Sequence, residues 1–106
     1  MAQAVHFDAG SFQAARAAGG VLVVDFFATW CMPCKMLGPV IEQLAADYEG
    51  KAVVGKVDID QQRELAEEYR VQSVPTVIIF QDGEPADTLV GARPIDTLKA
   101  AIDKLL

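Results

Sequence analysis

Eight consecutive residues, VLVVDFFA (21–28), leave this chain few ways to fold. Their side chains are mostly β-branched or aromatic, which favours a pleated strand. Apolar residues at nearly every position suit a strand covered on both faces, because a half-exposed strand alternates. The run is far too short to cross a bilayer and carries Asp25 in its middle. A strand covered on both faces needs a layer of helices on each side.

The flanking patterns supply those layers. After the strand, Leu37, Val40, Ile41, Leu44, Ala45 and Tyr48 recur at spacings of three and four, predicting a helix over 34–49 that Gly50 closes. Pro39 lies inside that pattern and is expected to kink the helix. KAVVGKVDI (51–59) reads as the next strand, so the helix between them serves a right-handed parallel crossover. Before 21–28, AVHF (4–7) reads as a short strand and 11–18 as a short helix stopped by Gly19-Gly20. Asp60 is expected to cap a third helix over 61–70, with Leu65 and Tyr69 on one face. TVIIF (76–80), the Asp82-Gly83 turn and DTLVG (87–91) form an antiparallel hairpin. Pro94 suits the first position of a last helix, along which Ile95, Leu98, Ile102 and Leu105 make an apolar stripe. The order β-α-β-α-β-α-β-β-α predicts a mixed sheet with helices on both faces, an α/β sandwich, in one domain over 1–106.

Charge narrows the function classes. The net charge is −6, and Lys and Arg form no run. Nucleic acid and anionic lipid both need a positive footprint, so neither is an expected partner. The N-terminal stretch lacks a basic segment followed by a long apolar one, so a signal peptide is not expected and the reading is cytoplasmic.

Both cysteines of the chain fall in one tetrapeptide, Cys31-Met32-Pro33-Cys34, after its only tryptophan, Trp30. The pair lies where the buried strand ends and the long helix begins. Free N–H groups and the positive dipole end at a helix start stabilise a thiolate, the form that attacks disulfides. Cys31 is expected at the exposed start and Cys34 one turn in. Three uses compete at this point. A zinc or iron–sulfur site needs four ligands, and one distant histidine, His6, does not complete the set within one chain. Two inert buried thiols are a second use. A redox dithiol, for which C-x-x-C beside a βαβ pattern is a recognised signature, is the third and the one preferred here.

Three stretches carry a family resemblance. VDFFATWCMPCKMLGPVIEQLAADY resembles the active-site strand and helix of the thioredoxin family. KVDIDQQRELAEEYRVQSVPTVIIFQDGE resembles its middle, and VGARP its last strand and turn. The resemblance runs through nearly the whole chain in order, and W-C-x-P-C-K followed by Val74-Pro75-Thr76 is a highly specific combination. It implies a thioredoxin fold, with a central mixed five-stranded sheet flanked by four helices on both faces. It implies a reductant of protein disulfides, with Cys31 as nucleophile and Cys34 as resolving thiol. Asp25 matches the family's buried carboxylate and Lys56 the lysine near it. Pro75 matches the cis-proline facing the cysteines, and Trp30, Met32, Pro33, Val74, Gly91 and Ala92 match the surface that receives an extended partner segment. No bound cofactor or metal is implied. It implies that electrons come from NADPH through a flavoenzyme, thioredoxin reductase, to a monomer whose Cys31–Cys34 disulfide opens and closes.

The residues carry part of this unaided. Asp25 interrupts Val, Leu and Phe, so burial should raise its pKa and fit it for proton transfer. A lysine in a strand more often reaches for water, so Lys56 tuning Asp25 and Lys56 at the surface stay equal readings. A proline opening a strand is ordinary and usually trans; only the resemblance makes Val74–Pro75 cis. The chain departs from the pattern twice. Met32 stands where the best-known members carry Gly, and Phe27 where many carry Trp. The first should alter potential and partner preference, the second packing and fluorescence more than chemistry. An oxidant or isomerase with the same fold, a binding module with incidental redox activity, and a metal-bridged dimer remain as other readings.

Overall fold

A computed structural model describes residues 3–106. Met1 and Ala2, which belong to the expected domain 1–106 and to the stretch read for a signal peptide, lie outside the described residues. The elements are β1 (Val5–His6), α1 (Ala9–Ala17), β2 (Val21–Phe27), α2 (Met32–Asp47), β3 (Ala52–Asp58), α3 (Arg63–Glu68), β4 (Thr76–Gln81), β5 (Glu84–Val90) and α4 (Ile95–Asp103). The predicted order of elements holds throughout.

The sheet runs β1-β3-β2-β4-β5. β3 is parallel to β1 and β2; β4 is antiparallel to β2 and β5. β2 is therefore central, as its continuous apolar run demands. Alternation along β2 splits the core in two. Val21 and Val23 face Leu37, Ile41 and Leu44 of α2 and Leu98 and Ile102 of α4. Leu22, Val24 and Phe26 join Phe12 of α1 and Leu65 of α3 in a cluster that also holds Phe7 and Phe80. By the same alternation Asp25 and Phe27 fall on the α2 face. Register sets Lys56 of β3 directly beside Asp25, with Val77 of β4 on its other side.

Several boundaries move for local reasons. α1 begins at Ala9, because the Asp8 carboxylate accepts from Ser11 N at 2.8 Å and Ser11 Oγ accepts from Asp8 N at 3.0 Å, a reciprocal cap the apolar pattern did not reveal. α3 is shorter than 61–70, and Asp60 does not cap it. Gln62 occupies the cap without a side-chain hydrogen bond. The turn before α3 is held by the Asp58 carboxylate, which accepts from Asp60 N at 2.9 Å, while the Asp60 carboxylate is engaged elsewhere. β5 starts at Glu84, since Asp82 and Gly83, both at positive φ, make a two-residue turn. Pro94 sits at the cap of α4, one residue before the position expected of it. α2 begins at Met32, not at 34, and continues through Pro39.

Candidate active site

The early start of α2 decides the geometry of the cysteines. Cys31 has extended backbone (φ −95°, ψ 115°) and is the N-cap. Its Sγ accepts from the backbone N–H of Cys34 at 3.2 Å, the place a Ser or Asp oxygen takes in an ordinary cap. Pro33 falls within the first turn, where its missing N–H leaves no carbonyl unpaired. Cys31 and Cys34 are joined as a disulfide, their Cα atoms 5.2 Å apart.

Cys31 is not exposed, contrary to expectation. It is 6% accessible and Cys34 5%. Cys31 is covered because its sulfur turns inward to cap the helix and lies 3.6 Å from the Val74 carbonyl oxygen. A disulfide sulfur has no proton to donate, so the latter is a contact and not a hydrogen bond. Cys31 is nevertheless reached from a surface groove lined by Trp30, Met32, Pro33, Ile59, Gln72, Ser73 and Val74. Trp30 is 67% accessible, and its indole Nε1 donates to Asp60 Oδ2 at 2.9 Å, so the ring is tethered at the rim. Met32 is 65% accessible and forms an apolar lip. It is not among the residues at positive φ, so the backbone here does not require glycine.

Four of the expected contact residues, Trp30, Met32, Pro33 and Val74, thus gather around Cys31. The Val74–Pro75 bond is cis, and Pro75 is buried behind the groove. Gly91 does not line the groove but is tied to it, its N–H donating to the Pro75 carbonyl at 2.8 Å. Ala92 is exposed and outside the groove lining. Ile59, Gln72 and Ser73 went unread. Their only sequence signal is position, at the carboxyl end of a parallel strand and just before Val-Pro. His6 is exposed.

Cys34 belongs to a second hollow, lined by Phe27, Ala28, Thr29, Lys35, Gly38 and Lys56. Asp25 lies on this face of the sheet and is fully buried, with neither carboxyl oxygen hydrogen-bonded. Burial raises its pKa from 3.8 to about 7, and the positive charge of Lys56 pulls the other way and loses. Lys56 is half-buried, and its Nζ lies 4.9 Å from the centroid of the Phe27 ring. Among the described residues no three His, Cys, Asp or Glu side chains converge to hold a metal ion. No helix among them is long and apolar enough to cross a membrane.

The Thioredoxin family model matches residues 3–104. The chain belongs to the thioredoxin family. It is 54% identical over 87 residues to the thioredoxins of Staphylococcus aureus strains Mu50 / ATCC 700699 and MW2, covering 82% of this chain and 84% of each relative. A mutant thioredoxin from Halobacterium salinarum NRC-1 has the same fold, with TM-score 0.90 and 36% identity over 97% of this chain and 90% of that one. The five-stranded mixed sheet with four helices is the thioredoxin fold. This member of the family is a thiol–disulfide oxidoreductase, and its Cys31–Cys34 pair is the redox-active disulfide.

Proposed function

We propose that the chain works as a reductant of disulfides in folded or extended protein segments, with Cys31 as nucleophile and Cys34 as resolving thiol. The observation that carries this division is the cap: Cys31 Sγ accepts the Cys34 N–H at 3.2 Å and borders the groove. In the reduced chain the same N–H and the α2 dipole stabilise a thiolate at Cys31. That thiolate attacks one client sulfur, the client S–S bond breaks, and the other client sulfur leaves as a thiolate. Cys34 then loses its proton, attacks Cys31 Sγ and releases the second client sulfur, re-forming the Cys31–Cys34 bond. Resolution is fast because it is intramolecular.

Asp25 is the base for the Cys34 proton in this reading. Its raised pKa of about 7 suits a group that must both accept and return a proton near neutral pH. Lys56 modulates Asp25 through its charge. Trp30, Met32, Pro33, Val74 and Pro75 receive the client segment, which pairs along the Val74 backbone as an added strand, and Gly91 and Ala92 flank it. The domain spans 1–106 and acts as a cytoplasmic monomer. A flavin-containing thioredoxin reductase returns two electrons from NADPH to the disulfide.

The reduction potential of the Cys31–Cys34 pair, equilibrated against a dithiol buffer, tests the direction of flow. Thioredoxin has a reference potential of about −270 mV and the oxidant DsbA one of about −120 mV. A value near the first supports a reductant; one toward the second reverses the assignment. The roles of the two sulfurs are tested with Cys34→Ser, which is expected to accumulate a mixed disulfide through Cys31. Asp25→Asn is expected to slow resolution and remove its pH dependence near 7, and an unchanged profile would remove Asp25 from the proposal.

A further inference from the structure

Phe27 follows Asp25 by two residues, so both side chains leave β2 on the same face. Lys56 is paired in register with Asp25, yet its ammonium lies over the Phe27 ring, 4.9 Å from the centroid. That is within cation–π range. Neither Asp25 oxygen has a hydrogen-bond partner, and no ion pair joins Asp25 to Lys56. The cation nearest in the ladder is thus engaged by the aromatic neighbour and not by the acid.

We propose that Phe27 is a positioning residue: its ring holds the Lys56 ammonium off the Asp25 carboxyl, so that contact with the cation does not lock that carboxyl as a carboxylate and it stays able both to hold and to release a proton. The other elements packed on this face offer no competing charge at close range. β4 sets Val77 beside Asp25, and α4 contributes Leu98 and Ile102 to the face. α2 brings Cys34, now in the disulfide, and Gly38, while its Lys35 is exposed. Gly38 fits the same picture. A Cβ there would come no nearer than 4.0 Å to Lys56 Nζ, so α2 leaves the ammonium room beside the ring. With the ring gone, the flexible lysine stem can swing along the ladder to Asp25. An opposite charge in contact lowers a carboxylate pKa strongly, against the burial that raises it here. Position 27 thereby acts on the acid's charge as well as on packing.

The charge of Asp25 is measured directly, by carboxyl 13C NMR titration of the oxidised chain, in which the cysteines do not titrate. The inference rests on the proton role proposed above only for its kinetic consequence. The NMR midpoint can fail while the Asp25→Asn rate effect stands, and the reverse. Phe27→Leu is expected to lower the Asp25 midpoint by about one pH unit. Phe27→Trp, which keeps a cation-binding ring, is expected to restore it. In a Lys56→Met background Phe27→Leu is expected to shift nothing. An unchanged midpoint in Phe27→Leu, or an equal shift with and without Lys56, overturns the proposal. Should Phe27→Leu not fold, the wild-type Lys56 Hε resonances decide: displacement upfield by the ring current supports it, and random-coil positions overturn it.

Discussion

Asp25 is the residue on which the proposed proton transfer and part of the stability converge. Unfolded, its carboxyl ionises near the ordinary 3.8; folded, burial holds the proton to about 7. Between those values the folded chain binds the extra proton, so stability falls as pH rises through the window and the loss is complete above it. Roughly three pH units at about 1.4 kcal/mol each make this about 4 kcal/mol. Asp25→Asn has no such proton to lose. It is expected to match the parent near pH 4 and to exceed it by up to about 4 kcal/mol at pH 8, read as urea midpoints at the two pH values. Equal midpoints at pH 8 would show that Asp25 ionises normally in the fold. At Met32 the prediction concerns recognition. Met32→Gly removes an apolar lip that is 65% accessible and loosens the first turn of α2. Weaker client binding with a modest change in potential is expected, and unchanged client kinetics and potential would dismiss the role. The cysteines, Trp30 and Asp25 were legible because each is chemically out of place in its stretch. Phe27 was not, because an aromatic in an apolar strand looks like core until the reach of Lys56 from the next strand is seen.

At the scale of elements, two glycines make opposite predictions from the same substitution. In β3, a Cβ on Gly55 would run into the Phe7 ring, with Phe7 Cδ2 at 2.7 Å and Cζ at 2.8 Å. Phe7 is wedged in the aromatic cluster against Phe12, so it cannot step aside cheaply. Gly55→Ala is expected to cost about 1–3 kcal/mol. In α2, a Cβ on Gly38 would meet only Lys56 Nζ, at an ordinary contact distance of 4.0 Å, and the residue holds an ordinary helical position. Gly38→Ala is expected to stabilise by about 0.5–1 kcal/mol. Thermal midpoints that move in the same direction for both would contradict this packing. Element order, strand pairing and the sheet-facing stripes were readable because they follow from period and from buried length. Ends were less so. Asp58 and Asp60 both precede α3, and pattern alone could not tell which carboxylate turns back to the chain and which reaches across to Trp30. Cys31 as a cap was missed because sulfur is not the usual capping atom, and Ile59, Gln72 and Ser73 meet Trp30 only once β2, β3 and the loop before β4 come together.

Over the whole molecule, one sheet serves two cores, and β2 and β4 contribute side chains to both. Damage to either face should therefore be felt by the entire domain. Ile102→Ala on one face and Phe12→Ala on the other, each fully buried in the parent, are expected to cost about 2–5 kcal/mol apiece. Both should leave a single unfolding transition with coincident near- and far-ultraviolet dichroism. A second transition in either variant would mean that the faces unfold separately. The same two-sidedness appears at the redox end. Cys31 looks into the groove beside Trp30, Met32 and Val74, whereas Cys34 looks into the hollow of Phe27, Gly38 and Lys56. The neighbouring sulfurs thus have separate doors. In the proposed reading a client occupies the first door, and the second, lined by other residues, is a separate route by which solvent reaches Cys34, so the way in for the client and the way out for the proton are not the same opening.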